Sequence, residues 1–471
     1  MVAVHRWLTP HRHPRSRGRL LLAVLPFVAA CAGNGELGTF TATATIAPTA
    51  TSTSSPLPSA TATETMSPTA AASLTHTATP TRTASATMQA SMTHTATPPA
   101  TATATAPERF SGSVDEFYEV PEPLAPGEPG ALIRIQDVPA PDGFTTLRLM
   151  YHSRDALDRD RAVTGIVTYP DGAAPEGGWP VISLAHGTTG LASPCAPSRA
   201  GFAAPTFGIA GVGVATDYIG LGPVGERHPY LSRLSEAHSV IDAVRAVRNL
   251  PEAAAGRRWL AVGHSQGGHA ALAANELGQS YAPELELLGT VSLAPAALFD
   301  RTYGGIDSIV VRIVGVMALY GGATEHPEVD PDDYVGPETA AAAARVLDDH
   351  CLADIIAAFV VIPADTFYVH DPRETEPARS LSLANDVGGV SVDSPLLLVS
   401  GTADQTVVLQ RVRDLLDKLC GVGQVTDYLE IAGATHDDEL SRAAPQIETW
   451  LAARLAGEPA PNACRSSAGV P

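Results

Sequence analysis

The sequence predicts an α/β fold with a mostly parallel central sheet, helices on both of its faces and one inserted helical segment. Short, strongly apolar strand patterns alternate with helical patterns, and strands of this kind belong to parallel sheets that are buried on both faces. The alternation breaks once, at residues 299–390, where helical patches replace it. We therefore expect residues 108–298 and 391–471 to form the sheet core and residues 299–390 to form a helical cap over the carboxyl ends of the strands.

The first 107 residues differ in composition from the rest of the chain. A basic stretch and the apolar run LLLAVLPFVAA have the layout of a secretory signal over residues 1–30. Small residues precede Cys31 as in a bacterial lipobox, so we expect a lipid on Cys31, with a plain signal peptide as the alternative. Residues 31–107 are mostly Thr, Ala, Ser and Pro, which predicts a disordered spacer. We expect an exported protein, either a surface lipoprotein of the bacterial cell envelope or a secreted one.

The elements of the core can be placed in order. Three antiparallel strands are predicted at 131–138, 145–153 and 162–170, because they precede the alternating region. Apolar runs then predict strands of the parallel sheet, and the last of them precedes the final helix; these runs are 180–186, 212–217, 259–265, 287–298, 395–401 and 425–433. Helical spacing predicts helices over 232–250, 406–420 and 438–456.

Net charge narrows the class of partner. The chain carries 50 acidic and 30 basic residues, a formal net charge of −20. This balance argues against binding to nucleic acid or to anionic lipid head groups. It agrees with a soluble exported protein and leaves the substrate open.

The stretch GHSQGG places Ser265 between glycines, after a strand pattern and before a small-residue helix pattern. This is the context of the G-x-S-x-G motif, in which a serine on a sharp strand-to-helix turn acts as a nucleophile. An ordinary glycine-rich turn is the alternative. A serine nucleophile also needs a general base, a carboxylate that orients the base, and donors for the oxyanion.

The remaining catalytic groups are expected in chain order after the serine. Asp404 follows the strand 395–401 and is the predicted carboxylate, although it could also cap a helix that begins near Gln405. Asp393 and Asp437 are its rivals. His436 follows the last strand and is the predicted base, with a solvent-exposed loop histidine as the alternative.

Two loops near the predicted serine could complete the site. The backbone N–H of Gln266 and a donor from Gly187 or Thr188 in HGTTG are the predicted oxyanion hole, with a plain glycine turn as the alternative for HGTTG. Asp217 and Tyr218 end a strand on the same rim, and spacing does not separate a pocket-shaping role from a structural turn.

Cysteines and metal motifs set two further expectations. If Cys31 carries lipid, four cysteines remain, which allows two disulfides in three connectivities or a set of free thiols: Cys195, Cys351, Cys420 and Cys464. The sequence contains no C-x-x-C or H-E-x-x-H, and no G-x-G-x-x-G follows an N-terminal strand, so neither a metal nor a dinucleotide cofactor is expected.

Several motifs in one order resemble the secretory lipase family of the α/β-hydrolase superfamily, the yeast lipase A type. They are YHSRDALDRDRAVTGIVTYP, HGTTG followed by CAPS, DYIGLG, GHSQGG, GTADQTV and GATH, within residues 125–465. The resemblance implies an α/β-hydrolase fold, lipase or carboxylesterase activity, and a triad of Ser265, Asp404 and His436. It also implies a helical cap and the disulfides Cys195–Cys351 and Cys420–Cys464.

Three functions follow from these expectations. The first is an ester hydrolase that acts on small-molecule or lipid acyl esters as a monomer without a cofactor, tethered to a membrane through its N-terminal lipid. The second keeps the triad in an exopeptidase or amidase, for which no charged anchor for a peptide terminus stands out in the sequence. The third is a non-enzymatic surface-displayed binding protein that uses the spacer as a stalk.

Overall fold

The computed structural model describes residues 107–301 and 308–465. The predicted signal segment 1–30, Cys31 and the predicted spacer up to residue 106 lie outside these residues. Within the described residues, no helix has the length and apolar character needed to cross a membrane.

Ten strands of the described chain form one sheet, with the spatial order β1-β2-β3-β4-β6-β5-β7-β8-β9-β10. β2, β3, β4 and β6 pair antiparallel in that order, and all pairs from β6 to β10 are parallel. The prediction of a mostly parallel sheet entered by antiparallel strands is therefore confirmed. The strands are β1 Glu108–Arg109, β2 Leu132–Val138, β3 Phe144–Arg154, β4 Asp160–Pro170, β5 Trp179–Ala185, β6 Val212–Thr216, β7 Ala255–His264, β8 Glu286–Leu293, β9 Leu396–Gly401 and β10 Thr426–Ile431.

Helices cover both faces of the sheet. Alternate residues of β7 join different hydrophobic clusters. Trp259 and Ala261 pack with the helices Arg233–Arg248 and Gln266–Tyr281, whereas Leu260 and Val262 pack with the helix Glu439–Leu455. This alternation follows from the two-residue period of a strand and explains why residues 259–262 are all apolar. The helices are α1 Val114–Phe117, α2 Arg233–Arg248, α3 Gln266–Tyr281, α4 Ile309–Gly322, α5 Pro337–Val346, α6 Leu352–Phe359, α7 Ala364–Phe367, α8 Ala378–Ala384, α9 Leu409–Gly421 and α10 Glu439–Leu455.

The chain between β8 and β9 contains α4 to α8, and their buried side chains form a hydrophobic cluster together with Leu191, Tyr230 and Leu231 of the core. Within this segment, residues 337–359 form two helices, α5 and α6, and not one continuous helix. The division occurs at Cys351, whose backbone is extended (φ −103°, ψ 178°) and forms an isolated bridge with Gly190. Tertiary pairing has thus overridden local helix propensity at this point.

Two disulfides fix this arrangement, and both are the pairs that the resemblance implied. Cys195–Cys351 joins the loop after β5 to the start of α6, where the Leu352 N–H also donates to the Thr189 carbonyl at 2.8 Å. Cys420–Cys464 joins the end of α9 to the C-terminal segment.

Candidate active site

Ser265 lies on the turn between β7 and α3 with φ 60° and ψ −117°, a conformation that is strained for a residue with a side chain. Its N–H donates to the Leu293 carbonyl at 2.9 Å, which ties the turn to the end of β8. The flanking glycines are required by packing. A Cβ on Gly263 would lie 1.9 Å from the Gly267 carbonyl oxygen, and a Cβ on Gly267 would lie 1.9 Å from the Ala185 carbonyl oxygen.

Asp404 and His436 meet beside this turn. The Asp404 Oδ2 lies 2.8 Å from His436 Nδ1, and Asp404 Oδ1 accepts the N–H groups of Thr406 and Val407 at 2.7 and 2.9 Å. The Asp404 carboxylate thus stabilises a turn at residues 404–407, and α9 begins after that turn, at Leu409 and not near residue 405. The bond to Asp404 occupies Nδ1, which leaves Nε2 as the ring nitrogen that can act as a base.

Ser265 and His436 line the same cavity. No hydrogen bond joins the two side chains within the described part of the chain, and such bonds often tighten only when substrate is bound. Of the three aspartates considered from the sequence, Asp404 is the one bonded to His436. Asp437 is exposed at the cavity, and Asp393 precedes β9.

The predicted oxyanion donors surround Ser265. Gln266 is the first residue of α3, so its N–H has no acceptor within the helix. A Cβ built on Gly187 would lie 3.8 Å from the Ser265 Cβ, and Gly187 and Thr188 both line the cavity. The Thr188 hydroxyl is 2.8 Å from the Tyr230 hydroxyl, which restrains the loop.

Asp217 and Tyr218, for which the sequence left a role at the pocket rim and a structural turn both open, are not among the residues that line the cavity. Asp217 is buried and accepts the Ser198 N–H at 2.9 Å and the Thr164 hydroxyl at 2.6 Å. Tyr218 is also buried, and its hydroxyl donates to the His186 carbonyl at 2.9 Å. Both residues therefore hold neighbouring loops in place, as the structural-turn alternative has it.

Two groups that the sequence did not single out lie next to the Asp404–His436 pair: Glu439, which is buried, and His264, which is mostly buried and lines the cavity. Glu439 begins α10, and its Oε2 accepts the Gly401 N–H at 2.7 Å. Burial, together with the nearby Asp404 carboxylate, raises the pKa of Glu439 to about 8. The His264 ring lies against that of His436, with centroids 4.5 Å apart and planes tilted by 44°. Burial and, to a smaller extent, the neighbouring His436 lower the pKa of His264 to about 3. Both groups are therefore neutral at pH 7.

The cavity has a volume of about 600 Å³ and is mostly apolar. Its floor contains Ser265 and the loop after β5, and its roof is formed by α4 through Val310, Val314 and Met317. A cavity of this size accepts a small organic molecule or an alkyl chain. Among the described residues, no group of three or more His, Cys, Asp or Glu side chains is placed to hold a metal ion.

The sequence model of the secretory lipase family matches residues 209–463, which is more than half of the chain. The chain belongs to the secretory lipase family. The matched region includes the sharp strand-to-helix turn at Ser265, called the elbow from here on, together with both partners of the Asp404–His436 bond and the inserted helices.

Curated relatives of the chain carry lipase names, one of them as a probable inactive lipase. Lipase 6 of Candida albicans is 23% identical over 397 residues, covering 75% of this chain and 83% of its own. A Mycobacterium tuberculosis protein named as a probable inactive lipase is 25% identical over 392 residues, covering 74% of this chain and 83% of its own.

Solved structures with the same fold include two ester-cleaving enzymes. Candida antarctica lipase A superposes with a TM-score of 0.61 at 16% identity, covering 74% of this chain and 87% of its own. A mutant of the rice cell wall degrading esterase LipA from Xanthomonas oryzae gives a TM-score of 0.60 at 18% identity, covering 71% and 100%. These likenesses show that the fold is that of the α/β hydrolases.

Proposed function

We propose that this member of the secretory lipase family is an active serine ester hydrolase whose catalytic triad is Ser265, Asp404 and His436. The observation that carries the proposal is the 2.8 Å bond between Asp404 and His436 beside a serine held on a strained elbow. A buried carboxylate on Nδ1 selects the imidazole tautomer whose Nε2 can take a proton. Membership of a lipase family supports an ester as the substrate.

Each residue has a defined part in the reaction. The Ser265 Oγ attacks the ester carbonyl carbon while His436 Nε2 takes the hydroxyl proton, and Asp404 stabilises the imidazolium that forms. The N–H of Gln266 and one from Gly187 or Thr188 donate to the oxyanion. His436 gives the proton to the leaving alcohol, and the acyl group stays on Ser265 Oγ. A water then attacks the acyl carbon with His436 again as the base, and His436 returns that proton to Ser265 Oγ as the carboxylic acid leaves.

The relative named as a probable inactive lipase makes activity a point to test. In this chain a serine, an imidazole and a carboxylate are all present at the elbow, and the cavity above them is open to a substrate of moderate size. We therefore assign hydrolysis to this chain and not only binding. The residues 299–390 act as a cap whose apolar lining selects the acyl chain.

Replacing Ser265 by alanine tests the proposal directly. We expect the wild-type protein to hydrolyse p-nitrophenyl esters and to be labelled by a fluorophosphonate probe, and the Ser265→Ala protein to do neither. Removing a triad nucleophile typically lowers kcat about 10⁶-fold. Ser280→Ala is the matched control, because Ser280 is an exposed serine near the end of α3, the helix that follows Ser265. This variant should retain full activity. Unchanged hydrolysis in the Ser265→Ala protein would refute the triad.

Family membership and two disulfides indicate an exported protein. We further assign residues 1–30 to a signal peptide, Cys31 to lipid attachment and residues 31–107 to a spacer that holds a monomeric hydrolase away from a membrane. In a bacterial host, metabolic labelling with an alkyne fatty acid should mark the wild-type protein and not Cys31→Ser. Equal labelling of both proteins would place the lipid elsewhere.

A further inference from the structure

A buried polar cluster lies beneath the elbow, outside the triad. Its centre is Glu236 on α2, which is fully buried. The Glu236 carboxylate accepts the Leu231 N–H at 3.0 Å and the Gln266 side-chain amide at 2.8 Å through Oε1. Its other oxygen lies 2.7 Å from Nδ1 of His269 on α3. A buried carboxylate without such hydrogen bonds would destabilise the folded protein, so these three partners are needed to keep Glu236 in this position.

The partners of His269 define its protonation state. Its Nδ1 faces the Glu236 carboxylate, and its Nε2 lies 2.8 Å from the Asn385 carbonyl. Both neighbours are acceptors, and only an imidazolium can donate from both nitrogens. Burial alone would lower the pKa of His269, but the Glu236 carboxylate outweighs it and the pKa is raised. Glu236 and His269 therefore form a buried ion pair.

The same cluster fixes the side chain of Gln266. Its amide donates to Glu236 and also to Nε2 of His228, which is 2.7 Å away, while His228 Nδ1 lies 2.7 Å from the Ile219 carbonyl. Gln266 is thus clamped at its side chain, while its backbone N–H belongs to the predicted oxyanion hole. The first turn of α3 cannot rotate without breaking these bonds.

We propose that Glu236 and His269 are positioning residues that aim the Gln266 N–H at the oxyanion and seat the cap beside it. The cap contacts this cluster through Asn385, which follows α8 and lines the cavity. The Asn385 carbonyl accepts the hydrogen bond from His269 Nε2. Its side-chain oxygen also accepts the Arg233 N–H at 2.9 Å. One ion pair therefore holds both the oxyanion donor and the edge of the cap. This role rests on the proposed ester hydrolysis.

The test compares two buried carboxylates on the same helix. Glu236→Gln preserves shape but removes the charge that holds His269. Asp242→Asn does the same six residues further along α2, where Asp242 is equally buried and bonded to Ser153 and Tyr281 away from the elbow. We expect Glu236→Gln to lower kcat about tenfold or more with KM nearly unchanged, because a misaimed donor affects the transition state. Asp242→Asn should leave kcat at the wild-type value.

Two further readouts separate positioning from general stability. The affinity of Glu236→Gln for a trifluoromethyl ketone, which forms an oxyanion with Ser265, should fall in step with kcat/KM. Equal kcat losses in both variants, or a loss confined to thermal stability, would overturn the positioning role.

The ion pair can be tested without activity. Long-range ¹H–¹⁵N spectra of the Ser265→Ala protein should show the His269 ring doubly protonated at neutral pH, where an unperturbed imidazole is mostly neutral. A neutral His269 ring would refute the pair whatever the kinetics show. A doubly protonated ring in a wild-type protein that cleaves no ester would refute the proposed function, and the positioning role with it, while leaving the ion pair in place.

Discussion

Replacing Glu439 by glutamine should remove a pH-dependent loss of stability from this protein. Glu439 has no exposed side-chain surface, and its pKa rises from an ordinary 4.5 to about 8 because of burial and the nearby Asp404. The folded protein therefore keeps the proton up to about pH 8, whereas the unfolded chain loses it near pH 4.5. Between these values unfolding releases a proton, so a rise in pH favours the unfolded state.

The size of the effect follows from the two pKa values. One pKa unit corresponds to about 1.4 kcal/mol, so the full difference is about 5 kcal/mol once the pH is well above 8. Between about pH 5 and about pH 8, the wild-type protein should lose about 3 to 4 kcal/mol relative to Glu439→Gln. The glutamine does not ionise, and its amide oxygen can still accept the Gly401 N–H.

Guanidinium unfolding of both proteins over a pH series measures this difference. The quantity of interest is the free energy of unfolding of Glu439→Gln minus that of wild type, because contributions from all other titrating groups cancel in it. Glu448→Gln, at an exposed glutamate on α10, is the matched control and should give a constant difference near zero. A Glu439→Gln difference that does not change with pH would refute the reasoning.

Three further changes probe the site and the fold. Asp404→Asn should lower kcat on p-nitrophenyl esters about 10⁴-fold, because the imidazole then adopts the wrong tautomer, while the melting temperature stays close to that of wild type; a loss under tenfold would contradict its role. Replacing Cys420 and Cys464 together by alanine should lower the free energy of unfolding by about 4 kcal/mol, because the unfolded chain is then no longer constrained by a loop of 44 residues. Calorimetry measures this loss, and a much smaller one would contradict the prediction. Gly267→Ala should prevent folding to a soluble protein, since the new Cβ would lie 1.9 Å from the Ala185 carbonyl, and normal soluble yield would contradict that packing.

The sheet could be predicted because its strands are marked by local pattern. Residues 259–262 of β7 are apolar at every position, since alternate residues meet cores on opposite faces. The shortest elements left no such mark. β1 has two residues and α1 has four, which is too few for either period to be detected. The break at Cys351 was also hidden, because a bridge to Gly190 about 160 positions earlier causes it.

The same distinction separates the parts of the site. Ser265, Asp404 and His436 each follow a strand, and the carboxyl ends of parallel strands meet at one edge of a sheet, so chain order was informative. Glu236 and His269 lie on two different helices and meet only because α2 packs on α3. Asp217 ended a strand at the same edge as the triad, yet its hydrogen bonds direct it into the interior, which position along the chain does not specify.

The seam between the loop after β5 and the start of α6 limits how the inserted helices can be exchanged. Across it run a disulfide, an isolated bridge and the hydrogen bond from Leu352 to Thr189, and the loop on the core side carries Gly187 and Thr188. Grafting residues 299–390 onto a scaffold without the matching cysteine would therefore leave Cys351 unpaired and residues 187–195 without these links. Exchanging residues 187–195 together with the cap would keep the links, so the proposed acyl-chain selection and the proposed oxyanion donors would be transferred together.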